Sequence, residues 1–273
     1  MLSFKLRPEE FAALNLRALY ENYHYKFYRM SRFEEYDFYA DKKDFLTSKR
    51  ILTFTDINGQ LMALRPDVTL SIIKHSRNFE GVQKYYYDEK VYRVPKESNT
   101  FMEISQTGIE CIGSLKSEDI KEVVELAILS LKTLAGDKQY ILDIADAGAV
   151  GEILRDHEEK LSILKCLAEK NIHGLKALNA PEEIISLAVN PVPEGKFAAL
   201  LESLKEYKDV INIDYSVVSN LNYYNGIVFR GFIEGIPESV LSGGQYDKMM
   251  SLMGRKNSQA IGFAVYLDEI GRL

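Results

Sequence analysis

Residues 101–113, FMEISQTGIECIG, carry an amide and a carboxylate four positions apart. In an extended strand side chains alternate between faces, so Met102, Ile104, Gln106, Gly108, Glu110 and Ile112 share one side. Gln106 and Glu110 then flank a residue without a side chain, which leaves a vacant spot beside an amide and an acid. Such a pair can receive a ligand that carries N–H donors. The alternative is a solvent-exposed polar face with a bulge at Gly108.

Other side chains offer weaker signals. In SNLNYYNGIVFRG, a regular strand would send Tyr223 and Tyr224 to opposite faces, one packing and the other offering its hydroxyl. Asp67 follows Pro66 in an expected first helical turn, where a carboxylate stabilises the helix dipole without any ligand. Arg93 ends a strand before the polar loop VPKESNT, a position that suits either an anion site or a surface salt bridge. The segment GGQYD, residues 243–247, could form a Gly-rich phosphate loop, but it lacks the surrounding motif. His24, His75, His157 and His173 are scattered without ligand spacing, so no metal is expected. No GxSxG, GxxxxGK[ST] or GxGxxG pattern occurs, and no cofactor is expected.

The elements that must position these groups are legible in the periodicity. RPEEFAALNLRALYENY reads as an opening amphipathic helix with Pro8 in its first turn. Asn58-Gly59 between two strand-forming runs predicts a hairpin with a tight two-residue turn over about 51–65, followed by a helix whose first turn holds Pro66. KYYYDEKVYR and FMEISQTGIECIG read as two antiparallel strands. SEDIKEVVELAILSLKTLAG then forms a helix with Ser117 as N-cap, an apolar stripe from Ile120 to Leu134, and Gly136 as stop. Charged amphipathic helices fill about 147–206 and suggest a helical insert, after which VINIDYSVV, NYYNGIVFRGFI and AIGFAVY return to strand pattern. Sheet, helical insert and sheet again predict an α+β fold, an antiparallel sheet flanked by helices, built as one domain over 1–273.

Composition narrows the partners. Lys and Arg total 34 against 40 Asp and Glu, a net charge of -6, so no global field favours nucleic acid. Cys111 and Cys166 are too few for a disulfide framework or a multi-cysteine metal site. The N-terminal MLSFKLRPEE lacks an apolar core of signal length, and Lys132 interrupts the one long apolar run. A cytoplasmic protein without a membrane partner is expected.

Taken in order, FTDINGQLMALRPDVT, KYYYDEKVYR, FMEISQTGIECIG, LNYYNGIVF, GGQYD and AIGFAV resemble the catalytic core of class II histidyl-tRNA synthetases over most of residues 8–270, most weakly in the insert. The resemblance implies a histidine pocket at Asp67, Thr69, Arg93, Gln106, Glu110, Tyr223 and Tyr224. Asp67 and Gln106 would receive the ligand ammonium, and Glu110, with a tyrosine hydroxyl beside it, the imidazole N–H.

The catalytic parts of that family are altered. Its third motif reads like GFAxGxER, whereas this chain has GFAVYLDE, which sets Tyr266 at the glycine that leaves room for adenine and Glu269 at the arginine that holds ATP phosphates. Ser219 to Asn222 replace the segment that supplies an arginine to the aminoacyl carboxylate, and VPKESNT replaces a basic loop. The proline of motif 1 is absent from FYRMSRFEEYDFYA. Adenylation needs such cations to stabilise transferring phosphate, so their joint loss argues against it.

A histidine pocket without an ATP site is similar to the regulatory subunits of short-form ATP phosphoribosyltransferase. That resemblance implies a non-catalytic partner of the short catalytic subunit, a homodimer within a hetero-oligomer, with free histidine as feedback effector. The chain is also expected to lack an anticodon-binding domain. A shortened synthetase-like enzyme that activates or transfers an amino acid, and a free-standing histidine-binding module, are the alternative readings.

Overall fold

The computed structural model describes residues 6–43, 46, 50–76, 81–94, 100–218, 221–255 and 257–271. Its strands are β1 (Lys26–Phe27), β2 (Phe33–Glu35), β3 (Thr53–Thr55), β4 (Leu61–Leu64), β5 (Val82–Arg93), β6 (Met102–Gly113), β7 (Tyr140–Asp146), β8 (Ile211–Ile213), β9 (Ile227–Ile233), β10 (Leu241–Gln245) and β11 (Gln259–Tyr266). The helices are α1 (Pro8–Asn22), α2 (Tyr36–Ala40), α3 (Val68–His75), α4 (Ser117–Ala135), α5 (Ala147–Ile153), α6 (Lys160–Ala168), α7 (Ile172–Ala177), α8 (Glu182–Val189), α9 (Gly195–Ser203), α10 (Asp247–Leu252) and α11 (Leu267–Ile270).

Eight strands form one sheet in the order β1-β5-β6-β11-β10-β9-β7-β8, and β2-β4-β3 form a second. The large sheet is antiparallel except at its edges, where β1 runs parallel to β5 and β8 parallel to β7. The expected antiparallel sheet is found in the six central strands, and a parallel pair extends it at each edge. One face of the large sheet is covered by α1 and α4, which bury Leu16, Tyr20, Val124, Ile128 and Leu131 against Ile109, Phe229 and Phe263. On the other face α3, α10 and the small sheet share a core with Tyr87, Ile112 and Ala260. Helices α5 to α8 build a further core around Val150, Ile163, Leu167 and Ile184 that rests on Ala145 and Val228. Helix α9 instead sends Phe197 and Leu200 to the first core. Each large apolar side chain buried this way contributes roughly 1.5–3 kcal/mol before entropy is counted.

Local details differ from expectation for identifiable reasons. The β3–β4 connection is a wider loop, because Asp56 Oδ1 accepts from the backbone N–H of both Asn58 and Gln60 at 2.8 Å, and Gly59 takes φ 82°. Pro66 lies before α3 rather than inside it, since Asp67 is the N-cap. Ser117 is the first residue of α4 and Lys116 its cap, because the Asp119 carboxylate closes the turn by accepting from Lys116 N–H at 2.8 Å. The β5–β6 register runs unbroken from Arg93↔Met102 to Val82↔Gly113, so Gly108 marks no bulge. The polar loop 95–99 and residues 219–220 lie outside the described residues.

Candidate functional site

The site is built at the N-terminus of α3. Arg65, at the end of β4, is fully buried, and its guanidinium donates to Glu89 Oε2 (2.7 Å), Ser31 O (2.8 Å) and Lys90 O (2.9 Å). This anchors the small sheet to β5 and fixes where α3 begins. Asp67 then caps the helix, its Oδ1 accepting from Leu70 N–H at 2.9 Å, and Thr69 turns its hydroxyl toward β6. There Thr69 Oγ1 donates to Glu110 Oε1 at 2.6 Å, and the Tyr246 hydroxyl donates to Glu110 Oε2. Both oxygens of a carboxylate that is 2% exposed are thus held by hydroxyls.

Asp67, Thr69, Arg93, Gln106, Glu110, Tyr223 and Tyr224 all line a single cavity of about 420 Å³. The two tyrosines are not on a strand. They occupy the turn before β9, which lets both rings reach the cavity, packed edge-to-face with centroids 4.7 Å apart. Arg93 Nε donates to Pro66 O at 3.1 Å, which sets the guanidinium beside Asp67. The space above Gly108 is not vacant. Tyr87, its partner on β5, lies over it so closely that a Cβ there would come within 2.6 Å of the phenol oxygen.

The same device recurs along the cavity floor. A Cβ on Gly244 would meet the Tyr224 ring at 2.7 Å, and one on Gly262 would collide with Glu110 Oε2. Side chains lying flat over a neighbouring strand demand glycine beneath them.

Several lining residues were not read from the sequence: Tyr87, Arg230, Ser239, Ser242, Tyr246 and Gly262. Gly243 to Gln245 belong to β10, so GGQYD is a strand end and not a phosphate loop. The Gln245 amide oxygen accepts from Ile227 N–H at 2.9 Å. Tyr266 lies in the cavity wall with its hydroxyl 2.6 Å from Ser242 Oγ. Glu269, on α11, is not among the described residues that line the cavity, so its charge acts from outside it. No helix among the described residues is long and apolar enough to cross a membrane, and none of their acid, histidine and cysteine side chains form a metal-binding group of three.

Burial pushes the Glu110 carboxyl up to about 8 from 4.5, against the downward pull of its two hydroxyl partners, with Asp67 adding repulsion. Asp67 is raised as well, again chiefly by burial. The folded chain therefore takes up a proton at Glu110 between these two values. Its contribution to stability is present below about pH 4.5 and is lost as pH rises through 8. Urea unfolding of the ligand-free chain should show stability falling by a few kcal/mol from pH 5 to 8.5. Glu110→Gln should flatten most of that slope. Equal slopes in both proteins would show that Glu110 is not raised.

An α+β sheet with an acid-lined cavity at its centre is the architecture of a class II aminoacyl-tRNA synthetase core. The model of the histidyl-tRNA synthetase family matches residues 5–192 and 195–270, and the chain belongs to that family. An ATP phosphoribosyltransferase regulatory subunit of Caldanaerobacter subterraneus subsp. tengcongensis is 32% identical over 80% of this chain, which spans 66% of that relative's length. A Bacillus halodurans structure described as an ATP phosphoribosyltransferase regulatory subunit/histidyl-tRNA synthetase superposes with TM-score 0.81 at 23% identity, covering 99% of this chain and 81% of that one. A chain of the ATP phosphoribosyl transferase complex from Thermotoga maritima gives 0.74 at 15% identity, covering 94% and 96%.

Proposed function

We propose that the chain is a non-catalytic, histidine-sensing regulatory subunit of short-form ATP phosphoribosyltransferase. It acts in the cytoplasm as a homodimer assembled with short catalytic subunits, enables their turnover and transmits feedback inhibition by histidine. The observation that carries this reading is the composition of the cavity. Glu110 with Thr69 and Tyr246 makes a buried acceptor for an imidazole N–H, and Asp67 with Gln106 supplies acceptors for an ammonium. An imidazole N–H pointing at Glu110 favours its ionised form, so the ligand draws that carboxyl down as it binds. The relatives named as regulatory subunits support the same role.

The Tyr266 side chain, tied to Ser242, takes up room on the β10–β11 side of the cavity, where the resemblance places adenine. We infer that ATP is excluded there and that the chain does not adenylate histidine. Pyrophosphate exchange into ATP, with histidine present, is expected to stay at the level of a mock preparation. Robust exchange would favour a shortened synthetase-like enzyme instead. The regulatory role is tested by assaying a short catalytic subunit with and without this chain. Turnover should rise on addition and fall again with histidine, and no response to either would sink the proposal.

A further inference from the structure

The cavity has two charged poles. At one end stand Glu110 and Asp67, with Arg93 beside Asp67 through its bond to Pro66 O. At the other end Arg230, on β9, lines the wall with Ser239 and Ser242. The register runs Glu110↔Gly262, Gly262↔Gly244 and Gly244↔Val228, so Glu110 shares a sheet face with Val228 and with Arg230 two residues on. Three strand spacings, about 14 Å, and a two-residue offset along β9, about 7 Å, separate the two poles, roughly 16 Å between backbones, and both side chains line the cavity. The strands between them carry only small residues on this face, Gly262, Gly244, Ala264 and Ser242, with the Tyr224 ring over Gly244 and the Tyr266 hydroxyl on Ser242.

Tyr224 lies between the poles, its ring over Gly244, which stands between Gly262 and Val228 across the sheet. Asp143 on β7 stands opposite Arg230 in the ladder, and its carboxylate accepts from the Asn212 amide at 2.8 Å. Asp143 is not among the described residues that line the cavity.

We propose that Arg230 is the anchor for the α-carboxylate of the amino-acid ligand. This rests on the histidine reading of the same cavity and adds the group that such a ligand requires. A zwitterion needs a cation as well as the acids that hold its ammonium and imidazole. Arg93 is engaged at the acid end, and the position where the resemblance expects a carboxylate-binding arginine holds Ser219. A guanidinium in the wall of the same cavity supplies the cation that the carboxylate requires.

The test is titration calorimetry on the full chain with histidine and with histidinol, in which an alcohol replaces the carboxylate. The parent should bind histidine at least about tenfold more tightly than histidinol. Arg230→Gln should bring histidine down to the affinity of histidinol and leave histidinol unchanged, while Arg230→Lys keeps part of the preference. Melting curves establish that each variant is folded. A preference that survives Arg230→Gln, or that disappears only in Arg93→Gln, overturns the assignment. So does an equal fall in the Gln and Lys variants for both ligands, which marks Arg230 as a structural partner of Asp143. Histidine failing to bind the parent at all overturns the histidine reading itself, and this assignment with it.

Discussion

Gly262→Ala should weaken histidine binding by on the order of 100-fold, about 2.8 kcal/mol, although it adds one methyl group at a position with no polar side chain. The added Cβ would lie well under 3.0 Å from both Glu110 Oε2 and the Ile109 carbonyl. The second of these is backbone in the middle of β6, paired on both sides, and cannot retreat without opening the β6–β11 ladder. Glu110 must therefore swing away, breaking its bonds to Thr69 and Tyr246 and leaving the imidazole without its acceptor. A buried polar group that loses its partners costs about 1–3 kcal/mol, so the ligand-free chain should also lose stability.

Gly151→Ala is the control. It lies in α5 with the nearest atom 4.0 Å from the added Cβ, and should stabilise the helix by about 0.5–1 kcal/mol without touching binding. Calorimetry for affinity and urea unfolding for stability separate the two effects. Affinity within about twofold of the parent in Gly262→Ala would show that the position of Glu110 is immaterial to the ligand.

What the sequence made legible follows from how local each signal is. Alternation along β6 placed Gln106 and Glu110 on one face, because that face is decided by the strand's own period of two. The apolar stripe of α4 was equally local, and Val123, Val124, Ile128 and Leu131 are all buried. The paired tyrosines misled because their neighbours are good strand formers, whereas the chain turns there before entering β9. Tyr87, Arg230 and Tyr246 were invisible for a different reason. Whether they share a cavity with Glu110 depends on β5, β9 and β10 lying beside or near β6, and no window of sequence contains that strand order. The available signal was the glycines: Gly108, Gly244 and Gly262 each sit under a large side chain from another segment. Glycine recurring in otherwise strand-forming sequence marked where the cavity would be, but not which side chains would cover it.

The cavity and the control of a catalytic partner should come apart under substitution. In the reconstituted complex, the combined variant Asp67→Asn, Gln106→Ala, Tyr224→Phe should weaken histidine inhibition by on the order of 100-fold, while turnover without histidine changes far less. Each change keeps what the fold needs. Asparagine caps a helix about as well as aspartate, so α3 retains its first turn. Phenylalanine keeps the ring that covers Gly244 and loses only the hydroxyl. Alanine at 106 removes an amide from the cavity wall and leaves the β6 backbone pairing intact. Histidine can inhibit only through a difference in its affinity for the active and inhibited arrangements, and the proposed role assigns that difference to contacts these three side chains make. The proposed role places the subunit contacts that sustain turnover on other surfaces. Steady-state assays, with assembly checked by light scattering, measure both quantities on one sample. Full assembly with turnover lost in step with inhibition would place the cavity inside the activating apparatus and overturn the division between sensing and activation.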